Sequence, residues 1–87
     1  MNKLDTQQQL FVIMMEECGE LIQQCSKLLR QQDYESDYNR EKLVEEVGDV
    51  YTMIELMHEF DIISWNDIEE RVKVKREKLK QWSDLIQ

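Results

Sequence analysis

Glu16-Glu17-Cys18-Gly19-Glu20-Leu21 and Glu45-Glu46-Val47-Gly48-Asp49-Val50 read almost alike. Each is a pair of glutamates, a small or apolar residue, a glycine, an acid and an aliphatic. The chain's only two glycines, Gly19 and Gly48, take matching places in them. Residues three apart share one helix face, so Glu17 and Glu20 point together, as do Glu46 and Asp49. Two such helices side by side would gather four carboxylates, which repel strongly in a partly dry cleft unless a cation joins them. The pair therefore reads as a carboxylate cage for a hard divalent cation such as Mg²⁺, built from two helices.

The surrounding pattern supports helices. At about 100° per residue, Leu10, Met14, Cys18, Leu21, Cys25 and Leu28 form one apolar stripe, widened by Phe11, Ile22 and Leu29. This predicts a first helix from a cap at Asp5 or Thr6 to about Gln32. Glu17 projects at the edge of its stripe. Gln31 to Arg40 is polar and without periodicity, so it reads as a connection. Its tyrosines, Tyr34 and Tyr38, are either loop packing or part of a base-stacking wall. A second helix is expected from about Arg40 to Phe60, with Leu43, Val47, Val50, Ile54 and Met57 as its stripe and Glu46 at the edge. A glycine inside a helix costs up to about 1 kcal/mol relative to alanine, so its occurrence twice suggests the close approach of another backbone. After a turn at Asp61 to Ile63, Ser64 is a good N-cap for a third helix from Trp65 to about Trp82. Its seam would be Trp65, Ile68, Val72, Lys75, Leu79 and Trp82, broken by the charge of Lys75. Six of the eleven basic residues lie between Arg71 and Lys80.

Composition bounds the rest. Eighty-seven residues with 41% hydrophobic and 34% charged content and no proline suit one all-α domain, residues 1–87. A chain this short buries only roughly 60–70% of its unfolded surface, so oligomerisation would help it. The net charge of −8 argues against a nucleic-acid duplex or an anionic membrane as main partner. The longest apolar run, Leu10 to Met15, is too short for a membrane span, and a cytoplasmic protein is expected. Cys18 and Cys25 lie about 10.5 Å apart along one helix and cannot bridge each other. Both fall on the apolar stripe and read as buried thiols. His58 reads as a half-buried helix residue.

EECGE at Glu16–Glu20 and EVGD at Glu46–Asp49 together resemble the MazG-like superfamily of all-α nucleoside triphosphate pyrophosphohydrolases. The likeness extends through Val50–Met57 to the lysine-rich third helix. It implies Mg²⁺- or Mn²⁺-dependent hydrolysis of an NTP or dNTP to a monophosphate and pyrophosphate. It also implies a protomer of three main helices that completes a four-helix-bundle core as a homodimer or homotetramer. Carried over by position, Glu17, Glu20, Glu46 and Asp49 would hold the metal, and Glu17 or Glu20 would accept the proton of the attacking water. Glu16 and Glu45, about 100° away on their helices, would support the cage. Lys75 and Lys78, with Arg76, would reach the substrate's phosphates. The alternatives are a phosphoribosyl-ATP pyrophosphatase, and an acidic helical interaction module with no enzymatic activity.

Overall fold

The computed structural model describes residues 3–86, so Gln87 lies outside the described residues. The described chain is all-helical, with three helices and no strand: α1 (Thr6–Gln31), α2 (Asp37–Glu59) and α3 (Trp65–Trp82). It divides into two compact units, one ending at Leu56 and one beginning at Met57, within the last turn of α2.

In the first unit, α1 begins at a capping box. The Asp5 carboxylate accepts from the Gln8 backbone N–H at 2.7 Å, and the Gln8 side chain accepts from the Asp5 N–H at 3.0 Å. The helix ends at Gln32 in the left-handed region, φ 54°. α2 starts at Asp37, three residues before the expected Arg40. The Ser36 hydroxyl accepts from the Asn39 N–H at 3.1 Å, and the Ser36 carbonyl accepts from the Arg40 N–H at 3.0 Å. That cap sits in a polar stretch where hydrophobic periodicity gives no signal. Asn39 ties the connection together. Its amide donates to the Asp33 carbonyl at 2.7 Å and to Gln31 Oε1 at 3.3 Å, and the residue is buried. Gln31 meets Asn39 at one end, while Glu17 and Glu20 meet Glu46 and Asp49 further along, so α1 and α2 run antiparallel.

The faces these helices turn inward are the expected stripes displaced toward the acids: Leu10, Met14, Cys18, Leu21 and Leu28 on α1, and Leu43, Val50, Ile54 and Met57 on α2, are buried or half-buried. The lines Leu10–Glu17–Gln24–Gln31 on α1 and Asn39–Glu46–Met53 on α2 advance by seven residues, nearly two full turns. Leu10, Gln24, Asn39, Glu46 and Met53 are buried. The opposite flank of each predicted stripe lies bare: Phe11, Met15, Ile22 and Leu29 on α1, and Val44, Val47 and Tyr51 on α2, are exposed. Cys25 is exposed too and Cys18 is half-buried, which corrects the reading of two buried thiols. The stripe is wider than one neighbouring helix can cover, and α2 covers the flank that carries the acids. Within the described chain no close approach accounts for the glycines: a Cβ built at Gly19 or Gly48 would meet nothing within 4 Å.

In the second unit, Asp61 takes a left-handed φ of 59° in the turn, and Ser64 caps α3 by accepting from the Asp67 N–H at 3.2 Å. His58 is half-buried against Trp65, with ring centroids 5.1 Å apart. α3 keeps its predicted bounds but not its predicted seam as a core. It has no buried residue, and Val72 and Trp82 are exposed. Lys75 is exposed as well, so its ammonium meets no burial penalty.

Candidate metal centre

The antiparallel hairpin brings Glu17 and Glu20 of α1 to Glu46 and Asp49 of α2. Each offers a carboxylate oxygen, and these oxygens all lie within 4.8 Å of one another. The site runs from wet to dry. Glu20 is exposed, Glu17 and Asp49 are half-buried, and Glu46 is only 4% exposed. Glu17 Oε2 and Glu46 Oε2 are buried with no hydrogen-bond partner. An unpartnered buried carboxylate oxygen is costly, because it has lost water and gained nothing in return. Two of them facing two further acids make a donor set of hard oxygens that suits a hard divalent cation.

The electrostatics agree. Burial, then the charges of Glu20, Asp49 and Glu46, raise the Glu17 carboxyl above its ordinary value, with a hydrogen bond to Glu20 as a lesser cause. Lys42 partly compensates on the α2 side. Its ammonium donates to Glu46 Oε1 at 3.0 Å and lies 3.3 Å from Glu45 Oε2. The hydrogen bonds to Glu46 and then Glu45 hold the Lys42 ammonium well above its ordinary pKa. Glu45 therefore acts on Glu46 through a shared lysine. Glu16 is exposed.

Lys75, Arg76 and Lys78 lie exposed on α3, in the second unit. Within the first unit, the hairpin has cations of its own near the carboxylates. A cavity of about 840 Å³ is lined by Glu20, Gln24, Lys27, Arg30, Lys42 and Glu46, among others. Sequence reasoning passed over Lys42, Gln24 and Asn39. The Lys42–Glu46 spacing of four was a usable signal, since such pairs share a helix face. Gln24 carried no such signal, because a glutamine beside Gln23 on a helix resembles any solvated position.

The fold and site define a class: an all-α protein with four converging carboxylates between two antiparallel helices. Comparison of the chain with known protein families, with curated proteins and with solved structures finds no match to any of them. Among the described residues, no helix is long and apolar enough to cross a membrane.

Proposed function

We propose that the chain is a metal-dependent nucleoside triphosphate pyrophosphohydrolase of the MazG-like kind. The observation that carries this reading is the convergence of Glu17, Glu20, Glu46 and Asp49 within 4.8 Å, with two buried oxygens left unpartnered. The four acids hold Mg²⁺ or Mn²⁺. The bound cation supplies positive charge to the phosphate chain and makes the attacking water more acidic. Water attacks the α-phosphorus, the bond to the bridging oxygen breaks, and pyrophosphate leaves with that electron pair. Glu17, half-buried, or Glu20, exposed at the mouth of the cluster, accepts the water proton. Glu20, the most exposed of the four, faces the side from which substrate enters.

The same reading includes a homodimer. Among the described residues, Leu10, Met53 and Met57 are the buried hydrophobics, a small core for an 87-residue chain. The outer flanks follow steps of three and four: exposed Phe11, Met15, Ile22, Cys25 and Leu29 with half-buried Cys18 on α1, and exposed Val44, Val47 and Tyr51 with half-buried Ile54 on α2. That is the spacing of helix-bundle seams. A second copy of the hairpin would close them into a four-helix core.

A pyrophosphate-release screen over canonical and modified NTPs and dNTPs, with and without Mg²⁺, tests the activity. The expected result is Mg²⁺-dependent release from at least one of them, with a rise in melting temperature on adding the metal alone. No turnover of any nucleotide, together with no metal-dependent stabilisation, would defeat the reading.

A further inference from the structure

The cavity beside the carboxylates carries charge of the opposite sign. Among the described residues, Lys42, Lys73 and Lys80 are the cations that pair with carboxylates. Lys42 uses two, Glu45 and Glu46. Lys27 and Arg30, which line the same cavity, make no ion pair among the described residues. Lys27 Nζ instead stands 5.8 Å from the centre of the Tyr38 ring, a cation–π contact that holds it at the cavity. Arg30 Nη1 reaches only the Ser26 hydroxyl, at 3.5 Å, which leaves most of its donors unused. Between them and the carboxylates lies Gln24, 5% exposed, whose Nε2 is buried without an acceptor. Two cations and one orphaned amide donor thus line one cavity.

An anion is what such donors want, but Glu20 and Glu46 form part of the same wall and would repel a bare one. A polyphosphate chelated to a divalent cation meets both demands. Its cation suits the carboxylates and its outer oxygens suit the donors. The spacing agrees: Glu20 to Lys27 is seven residues, about 10.5 Å along α1, which leaves room for a chain of phosphates beyond the acids.

Resting on the pyrophosphohydrolase reading, we propose that this cavity seats the pyrophosphate half of the substrate, bound by Lys27, Arg30 and Gln24. The negative charge that builds on the leaving pyrophosphate then falls next to fixed cations, where it lowers the barrier most. The basic residues of α3 are not needed for this contact.

The test is calorimetric titration with inorganic pyrophosphate in excess Mg²⁺. The proteins are the full chain and its Lys27→Met, Arg30→Met and Lys75→Met variants, each checked for unchanged helical circular dichroism. Pyrophosphate should bind the parent chain, and either Lys27→Met or Arg30→Met should weaken it by roughly 10-fold or more. Replacing Mg²⁺ with EDTA should abolish binding. No binding at millimolar pyrophosphate, parent-like binding by both variants, or loss with Lys75→Met alone would overturn the proposal. NTP turnover measured on the same samples separates the two readings. Turnover with binding indifferent to Lys27 and Arg30 removes this subsite and leaves the activity. Binding that needs both residues, without turnover of any NTP, upholds the cavity as a pyrophosphate site and removes the hydrolase.

Discussion

The inner flank of the α1–α2 hairpin mixes buried polar side chains with Leu10 and Met53, while the outer flank is apolar and bare. The inner flank buries Gln24, Asn39 and Glu46, with unpartnered atoms on Gln24, Glu46 and half-buried Glu17. The outer flank leaves Met15, Ile22, Leu29 and Val44 between 66% and 70% exposed. A hairpin stabilised mainly by its own core would do the reverse, since burying aliphatics stabilises and burying lone polar atoms costs. The difference teaches that each flank offers groups an added partner could satisfy, polar atoms inside and aliphatics outside. On our reading the inner flank is completed by a cation and its phosphates, and the outer flank by a second copy.

Removing the acids breaks the inner flank. Glu17→Gln, Glu20→Gln, Glu46→Gln and Asp49→Asn should each lower Mg²⁺-dependent pyrophosphate release by on the order of 10³-fold. The metal-free variants should melt at equal or higher temperature, because like-charge repulsion falls. Two or more variants with parental rates would show that the cluster is not the metal site.

A charge breaks the outer flank. Ile22→Glu or Val47→Glu should weaken self-association at least 100-fold, read by sedimentation equilibrium, while helical circular dichroism persists. A parent chain that sediments as a folded monomer at micromolar concentration would leave the outer flank without its partner.

Acidity sharpens the comparison more gently. The folded-state pKa of Glu17 is raised, so the folded protein binds that proton more tightly than the unfolded chain does. This contribution is fully present below the unfolded glutamate value of about 4.3 and is lost as pH rises through the raised folded value. The melting temperature of the metal-free protein should therefore rise as pH falls from neutrality towards the unfolded glutamate value. Saturating Mg²⁺ should flatten or invert that slope, because the cation prefers the ionised site. A metal-free slope of opposite sign would show that groups other than Glu17 dominate.

The glycines give the smallest effect. Gly19→Ala and Gly48→Ala should each stabilise the isolated chain by up to about 1 kcal/mol, since an added Cβ meets nothing and the unfolded chain loses freedom. If a second copy packs closely against these positions, the same substitutions should lower association while raising the stability of the monomer. Thermal melts over a range of protein concentrations distinguish the two effects.

Local patterns carried much of this protein. The 3.6-residue periodicity, the Asp5 and Ser64 caps and the turn around Asp61 made three helices legible, with α3 bounded at Trp65 and Trp82 as expected. The repeated acid-and-glycine motif placed four carboxylates at matching positions, and helix geometry alone set Glu17 beside Glu20 and Glu46 beside Asp49. Those are properties of a single helix, and a sequence determines them because only residues three or four apart are involved.

Which flank of each stripe would meet the other helix was not legible. The apolar arc on α1 spans more of the circumference than one neighbour covers, so hydrophobicity alone does not choose between the flank with Gln24 and the flank with Ile22. The tertiary structure chose the acid flank. In doing so it buried Glu46 and Gln24 and exposed Cys25. It also lined the cavity beside the acids with Lys27, Arg30 and Lys42 of the hairpin itself, a grouping across two helices that no local pattern announces. A side chain's partner across a helix pair depends on how the two helices are rotated about their axes. That rotation is fixed by the packing of the whole hairpin, in which Asn39 holds Gln31 and the Asp33 carbonyl while the acids converge beyond.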